Sequence, residues 1–409
     1  MHTPTDDSWE RVLAHIVDAA HLATGGSLSE LVDAAVRPVG LTAELLMVEL
    51  SQRWMTPVRP GADDRVAVEG TLAGRCYQLG EILAGTGDDG RVLWVPALDG
   101  TDRVGVLRVG LGDAPDDAQL RQRLWSLAGL VGHVLMAKIV YSDRLRRWRT
   151  GGPLSPASEL LWQLLPPRTF ATERVVVSAL LEPHEAVAGD AYDYNVDGDV
   201  VDLAVFDAVG HDLRASMTTA LAITAIRNAR RRDEGVDLHG LAAAADALIA
   251  QQPGPMQFAT AVLAQLDCVT GAFSYVLAGH PAPLLVRHGK VVKELTAPPR
   301  PPLGVTVPGA PPTAAGHEQL EPGDRLLLYS DGIVEARDRD GGFFGEDRLV
   351  ELTEHAAASD LSAPETLRRL ATAVLEHQEG RLQDDATLLL VDWSADGHLR
   401  MFPTLDVPA

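Results

Sequence analysis

A chain of 409 residues, 46% hydrophobic and 22% charged, holds enough apolar material for two or three globular units and is not the composition of a disordered protein. Its formal net charge of −22 sets the average surface against phosphate backbones and acidic bilayers, which excludes nucleic acid and membrane surfaces as expected partners. Two cysteines, Cys76 and Cys268, give neither zinc spacing nor a disulfide framework, as expected of a reducing, cytoplasmic setting.

The opening Met-His-Thr-Pro-Thr-Asp-Asp lacks the basic and apolar regions of a secretion signal. The most apolar stretch, residues 127–141, contains His133 and Lys138 and falls short of the roughly 18–20 residues a bilayer span requires. The densest basic runs, 144–149 and 227–232, are read as C-terminal ends of helices, where cations complement the helix dipole.

Residues 8–111 open with helical periodicity (Val12, Ile16, Ala19, then Leu28, Leu31, Val32, Val36) and continue into strand candidates at 45–50, 91–96 and 103–109. Between the last two, Leu98-Asp99-Gly100-Thr101-Asp102 supplies the Asp-Gly turn of a hairpin. The phrase Val68-Glu69-Gly70-Thr71-Leu72-Ala73-Gly74-Arg75-Cys76-Tyr77-Gln78-Leu79-Gly80-Glu81, with Trp94-Val95-Pro96-Ala97-Leu98-Asp99-Gly100 and Val104-Gly105-Val106-Leu107 after it, resembles the middle of a GAF domain. That resemblance implies a small α+β sensor fold with a pocket for a signal, without naming the ligand.

Pro115-Asp116-Asp117 marks the start of a helical connector over 115–150. Its apolar positions run Leu120, Leu124, Leu127, Val131, Val134, Tyr141, Leu145 and Trp148, a 4–3 alternation broken only by Lys138. Such a seam predicts a helix that pairs with a second copy, making the protein a homodimer; packing onto its own domain is the other way to bury it. Thr150-Gly151-Gly152-Pro153 ends the connector. A short linker helix over 155–165 follows, with Ser155 as N-cap, Pro156 at the first helical position and Pro166-Pro167 as the stop.

From residue 166 to 394 the pattern changes. Apolar strand-like runs fall at 175–181, 200–206, 259–266, 273–277, 284–286, 325–329 and 387–391, with helices in pairs at 213–232 and 238–251, then 346–358 and 363–377. Strands in groups favour antiparallel sheets over a doubly wound parallel sheet, so two face-to-face sheets with helix pairs outside are expected. The Pro-rich stretch 297–312 reads as an extended surface loop.

Acids stand where these strands meet loops: Asp190 and Asp193, Asp207, Asp331, and Asp384 with Asp385. Gly189, Gly210 and Gly332 beside them permit close backbone approach. One strand-end aspartate is an ordinary turn residue. Several that converge would raise one another's pKa unless a cation neutralises them, and an all-oxygen set selects Mg²⁺ or Mn²⁺ over zinc.

Five motifs occur in order: Ala188-Gly189-Asp190-Ala191-Tyr192-Asp193, Asp207-Ala208-Val209-Gly210-His211, Ala278-Gly279-His280-Pro281-Ala282-Pro283-Leu284, Tyr329-Ser330-Asp331-Gly332-Ile333-Val334-Glu335-Ala336 and Asp384-Asp385-Ala386-Thr387. Together they resemble the SpoIIE/RsbU branch of the metal-dependent (PPM) serine/threonine protein phosphatases. The fold class this implies is α+β: a C-terminal β-sandwich flanked by helices in α-β-β-α layers, preceded by the GAF-like α+β domain and the helical connector. The same resemblance implies two Mn²⁺ or Mg²⁺ ions and a metal-activated water acting on phosphoserine or phosphothreonine; the sequence leaves open a third, weak site that Asp193 or Asp212 would join. It puts the bridging ligand on Asp207, has the Ala208 carbonyl help to hold the second metal, completes the first metal's shell with Asp331 and Asp384, and brings Asp190 to the second metal largely through water; Asp385 is the weaker candidate.

Substrates in this branch are phosphorylated STAS-type anti-sigma-factor antagonists, so a phosphoprotein partner of that kind is implied, with control through the GAF-like domain. A scaffold that keeps the fold without turnover is the alternative. The wider family's proposed general acid, a histidine two residues after the bridging aspartate, is Val209 here, which leaves the acid unassigned. His211 and His280 are read as structural. Asp212, where glycine is usual, is read as a helix cap.

Overall fold

The computed structural model describes residues 6–62, 64–87, 90–183, 189–210, 212–233, 235–253, 255–305, 314–403 and 405. It divides the chain into two compact units, Met1–Pro153 with Leu399–Ala409, and Leu154–His398. Ala188, His211 and the second half of the Pro-rich stretch lie outside the described residues.

The first unit runs α1 (Asp6–Ala20), α2 (Leu28–Val36), β1 (Thr42–Val48), β2 (Trp54–Pro57), β3 (Val66–Ala67), α3 (Leu72–Leu79), β4 (Leu83–Gly87), β5 (Gly90–Asp99), β6 (Asp102–Gly110), α4 (Ala118–Ile139) and α5 (Asp143–Thr150). Its strands form one six-stranded antiparallel sheet in the order β3-β2-β1-β6-β5-β4. The β5–β6 hairpin turns at Gly100-Thr101, with Asp99 opposite Asp102 and Gly100 at φ 62°, as the Asp-Gly signal predicts. Alternation along β1 serves two cores: Leu45 and Met47 join α1, α2 and α4, while Leu46 and Val48 join α3.

The connector differs from expectation. Helix α4 stops at Ile139, and α5 leaves it at 109°. Ser142 caps α5 by accepting the Leu145 amide, so one continuous helix to Trp148 does not form. Leu120, Leu124, Leu127 and Val131 are buried together with Leu93, Val95 and Ala97 of β5. The stripe that suggested a second copy is therefore covered by the unit's own sheet, because a helix-on-sheet face and a coiled-coil seam share nearly the same period. Among the described residues no single helix is long and apolar enough to cross a membrane.

The second unit begins with α6 (Pro156–Leu164), where Ser155 accepts the Ser158 amide as predicted. There follow β7 (Thr169–Ala171), β8 (Val175–Glu182), β9 (Asp190–Asp197), β10 (Val200–Ala208), α7 (Leu213–Arg232), α8 (Leu238–Ile249), β11 (Ala259–Asp267), β12 (Ala272–Ala278), β13 (Leu284–Arg287), β14 (Lys290–Glu294), β15 (Gly316–Gln319), β16 (Asp324–Tyr329), α9 (Asp331–Val334), α10 (Glu346–Ala358), α11 (Ala363–His377) and β17 (Ala386–Trp393). Two antiparallel sheets result, β15-β12-β11-β10-β9 and β14-β13-β16-β17-β8-β7. Val177, Ala179 and Leu181 of one pack with Leu203, Val205 and Leu263 of the other in a single core. Helices α7 and α8 cover the first sheet and α10 and α11 the second, giving the expected α-β-β-α layers.

Strand β9 is not among the apolar runs of the sequence because Asp190, Asp193, Asn195 and Asp197 resemble loop residues. The alternation of Tyr192, Tyr194 and Val196 was its signal.

Candidate metal centre

The two sheets bring the ends of four strands to one edge. Asp190 opens β9 and Asp207 lies near the end of β10, directly opposite it in the antiparallel register. Residues so paired project from the same face. Asp331 follows β16 at the first position of α9, and Asp384 and Asp385 precede β17. Ser330 and Thr387 join the last two strands: the Ser330 amide donates to the Thr387 carbonyl (3.0 Å) and the Thr387 amide to Ser330 Oγ (3.0 Å).

Across the sandwich, the Gly189 amide donates to Asp385 Oδ2 at 2.5 Å. A Cβ on residue 189 would sit 2.9 Å from the Ala208 carbonyl oxygen and 2.7 Å from that of Gly210, so only glycine lets those carbonyls close in beside Asp190. A Cβ on residue 332 would meet the Asp385 carbonyl oxygen at 1.9 Å.

The electrostatics reports the same convergence. Burial, then the charges of Asp331, Asp384 and Asp385, push the Asp207 carboxyl up to about 7, against a smaller opposing hydrogen bond from Asp190. Asp190 is raised well above the ordinary carboxylate range by burial first, then by Asp207 and Asp385. Asp331 is raised by burial and by Asp384. Like charges enclosed together without a counter-charge account for the direction.

The donor chemistry fits hard divalent ions. All the candidate groups are oxygens, and Asp190 Oδ2 is buried with no hydrogen-bond partner. The geometry is not ready-made: among the described residues no group of three or more His, Cys, Asp or Glu side chains stands where it would already hold a metal ion.

Two of the residues considered for a third site do other work. Asp193, three positions from Asp190, projects from the opposite face of β9 and is fully buried against α7. There it accepts from Arg227 at 2.6 Å and Arg230 at 2.8 Å. Asp212 is the N-cap of α7, accepting the Arg214 and Ala215 amides at 2.9 and 3.0 Å. Arg227 also donates to the Leu164 carbonyl at the end of α6 (2.8 Å), a contact with no signal in the sequence. Val209 is 49% exposed at the rim, and His280 is buried.

Residues 197–394, which carry Asp207, Asp331, Asp384 and Asp385, match the family model of Stage II sporulation protein E (SpoIIE). They form a SpoIIE-family domain. Protein IcfG of Synechocystis sp. is 28% identical over 243 residues, 53% of this chain and 37% of that protein, so the chain spans little more than a third of that relative's length. Phosphoserine phosphatase RsbU of Bacillus subtilis is 24% identical over 236 residues, 58% of this chain and 68% of that protein. Among solved structures, the SiaA-PP2C domain of Pseudomonas aeruginosa is 22% identical with a TM-score of 0.47, covering 53% of this chain and 86% of that one. The SpoIIE-family domain of this chain thus holds its carboxylates at the edge where its two sheets meet.

Proposed function

We propose that the chain is a Mg²⁺- or Mn²⁺-dependent protein serine/threonine phosphatase. The observation that carries this is the meeting of Asp190, Asp207, Asp331, Asp384 and Asp385 at one edge of a SpoIIE-family sandwich, where burial and like charge push the carboxyl pKa values of Asp190, Asp207 and Asp331 up. Asp207 would be the ligand common to two ions; Asp331 and Asp384 would help to hold the first, and the Ala208 carbonyl, with Asp190 largely through water, the second. Asp385, one of whose oxygens is already engaged by the Gly189 amide, is better suited to fixing that loop than to direct ligation. Two such ions, when bound, supply charge neutralisation and a lowered water pKa for attack on phosphorus.

The rim supports a protein substrate. Val209, Leu213 and Met217 are 49%, 53% and 43% exposed just beyond Asp207, apolar surface that a phosphoprotein could cover and a small polar metabolite would not need. A phosphorylated STAS-type anti-sigma-factor antagonist is the proposed substrate, in a signalling pathway of the partner-switching kind. The N-terminal unit, a six-stranded sheet with helices on both faces, is proposed as a GAF-like sensor that controls the phosphatase.

The test is phosphate release by the purified full chain from an aryl phosphate and a phosphoserine peptide, with Mn²⁺ and with chelator. Metal-dependent release that Asp207→Ala and Asp331→Ala abolish is expected. Full activity in chelator would overturn the metal mechanism, and bound metal with no turnover of any phosphoester would leave a scaffold.

A further inference from the structure

Thr260 on β11 lies directly opposite Asp207 on β10, on the other flank from Asp190, so Asp190, Asp207 and Thr260 form a row across three strands on one face of the sheet. The Thr260 hydroxyl is not left to rotate. It pairs with Nδ1 of His280 at 2.7 Å. His280 follows β12, where Gly279 bridges to Ala261 on the neighbouring strand, and the ring is 6% exposed. Its other nitrogen, Nε2, is buried without a well-formed hydrogen bond. The nearby Tyr329 backbone favours a proton on the ring, although burial outweighs it and lowers the ring pKa to about 4.

A ring held neutral at physiological pH carries one proton and must choose a tautomer. Thr260 occupies Nδ1, so Nε2 is the ring nitrogen left to face the Tyr329 backbone, and a proton placed there leaves Nδ1 as acceptor. Thr260 then donates its hydroxyl proton to Nδ1, which leaves its oxygen able only to accept. Tyr329 is two residues before Asp331, so the same ring stands between the strand beside Asp207 in one sheet and the strand leading to Asp331 in the other.

We propose that His280 and Thr260 are a positioning pair for the carboxylate cluster: His280, protonated at Nε2, locks the Thr260 hydroxyl as a donor to Nδ1, so that the Thr260 oxygen faces Asp207 as a hydrogen-bond acceptor for water held at the cluster. Neither residue touches phosphorus. The pair acts by fixing which way one hydroxyl points, as outer partners do around metal ligands, where their loss costs roughly 10–100-fold in metal affinity or activity. This inference rests on the metal-centre reading, and the test separates the two.

The full chain is titrated with Mn²⁺ by calorimetry as wild type, Thr260→Val, Thr260→Ser and His280→Phe, and the melting temperature of each metal-free variant is measured alongside. Thr260→Val keeps shape and removes the hydroxyl; it is expected to weaken Mn²⁺ binding about tenfold while the metal-free melting temperature stays near wild type. Thr260→Ser should restore binding to within about twofold, and His280→Phe should match Thr260→Val. Equal Mn²⁺ affinity in wild type and Thr260→Val overturns the positioning pair while leaving the metal centre standing. Absence of Mn²⁺ binding in wild type overturns the metal-centre reading itself. Should His280→Phe fail to fold, ¹⁵N chemical shifts of wild-type His280 decide the tautomer: a proton on Nε2 supports the pair, and a proton on Nδ1, which would make Thr260 the acceptor, overturns it.

Discussion

Gly332 packs so closely on the Asp385 carbonyl that a Cβ there would fall 1.9 Å from the oxygen, with the Asp384 side chain next at 3.4 Å. This contact fixes Asp331, one residue earlier, against the start of β17. Backbone cannot yield as a flexible side chain can, so Gly332→Ala must push α9 away from Asp384 and Asp385. The expected result is a stability loss of about 1–3 kcal/mol by denaturant unfolding, with Mn²⁺ affinity falling further than stability alone explains. An unchanged Mn²⁺ titration would show that the contact does not set the carboxylates.

Stability without metal should fall as pH rises. Asp207 binds its proton up to about 7 in the folded chain, whereas an unfolded aspartate loses it near the ordinary 3.8. Between those values the folded state holds more protons, so its advantage is fully present below the lower value and is lost as pH rises through the upper one. Asp190 and Asp331 shift in the same direction. Thermal melts in chelator from pH 5 to pH 8 should therefore show a declining melting temperature, and excess Mn²⁺ should remove the decline. Asp207→Asn, which cannot ionise, should stabilise the metal-free chain at pH 8 by roughly 1–3 kcal/mol and abolish the Mn²⁺ effect.

Asp193 is engaged by two arginines of α7. Its carboxylate is fully buried between Arg227 and Arg230. Asp193→Asn leaves Arg227 without its carboxylate and Arg230 with only the longer contact to Asp202 (3.9 Å), and is expected to cost about 3 kcal/mol, read by urea unfolding. Phosphatase turnover per folded molecule should stay near wild type. A selective loss of Mn²⁺ binding in a stably folded Asp193→Asn would return this residue to the metal centre.

The buried stripe of α4 makes a separate prediction. Leu127 is fully buried in its own unit, so Leu127→Ala should lower stability by about 2–5 kcal/mol. The measurement is equilibrium unfolding at two protein concentrations a hundredfold apart. A concentration-dependent loss would mean that the stripe packs against a second copy instead.

Much of the second unit is legible because most of its longer strands are apolar runs of five or more residues and its helices carry their own stops. The predicted helices 213–232, 346–358 and 363–377 coincide with α7, α10 and α11. Acids at strand ends pointed to the cluster, yet the pleat decides which of them meet: Asp190 and Asp193 differ by an odd number of residues and so face opposite sides of β9. No local pattern announces which helix lies behind Asp193, and its two arginines come from more than thirty residues away. The connector misled for the opposite reason: its pattern was clear, but two burial partners satisfy it equally. Thr260 carried no signal at all, since its significance lies only in the register that sets it beside Asp207.

The most direct measurement is anomalous diffraction at the manganese edge from crystals of the full chain grown with Mn²⁺. Two peaks are expected at the sheet edge, with carboxylate oxygens of Asp207, Asp331 and Asp384 about 2.0–2.3 Å from manganese and Asp207 shared between the two ions. Manganese bound elsewhere, or an active phosphatase whose Asp207, Asp331 and Asp384 hold no ion, would contradict the account.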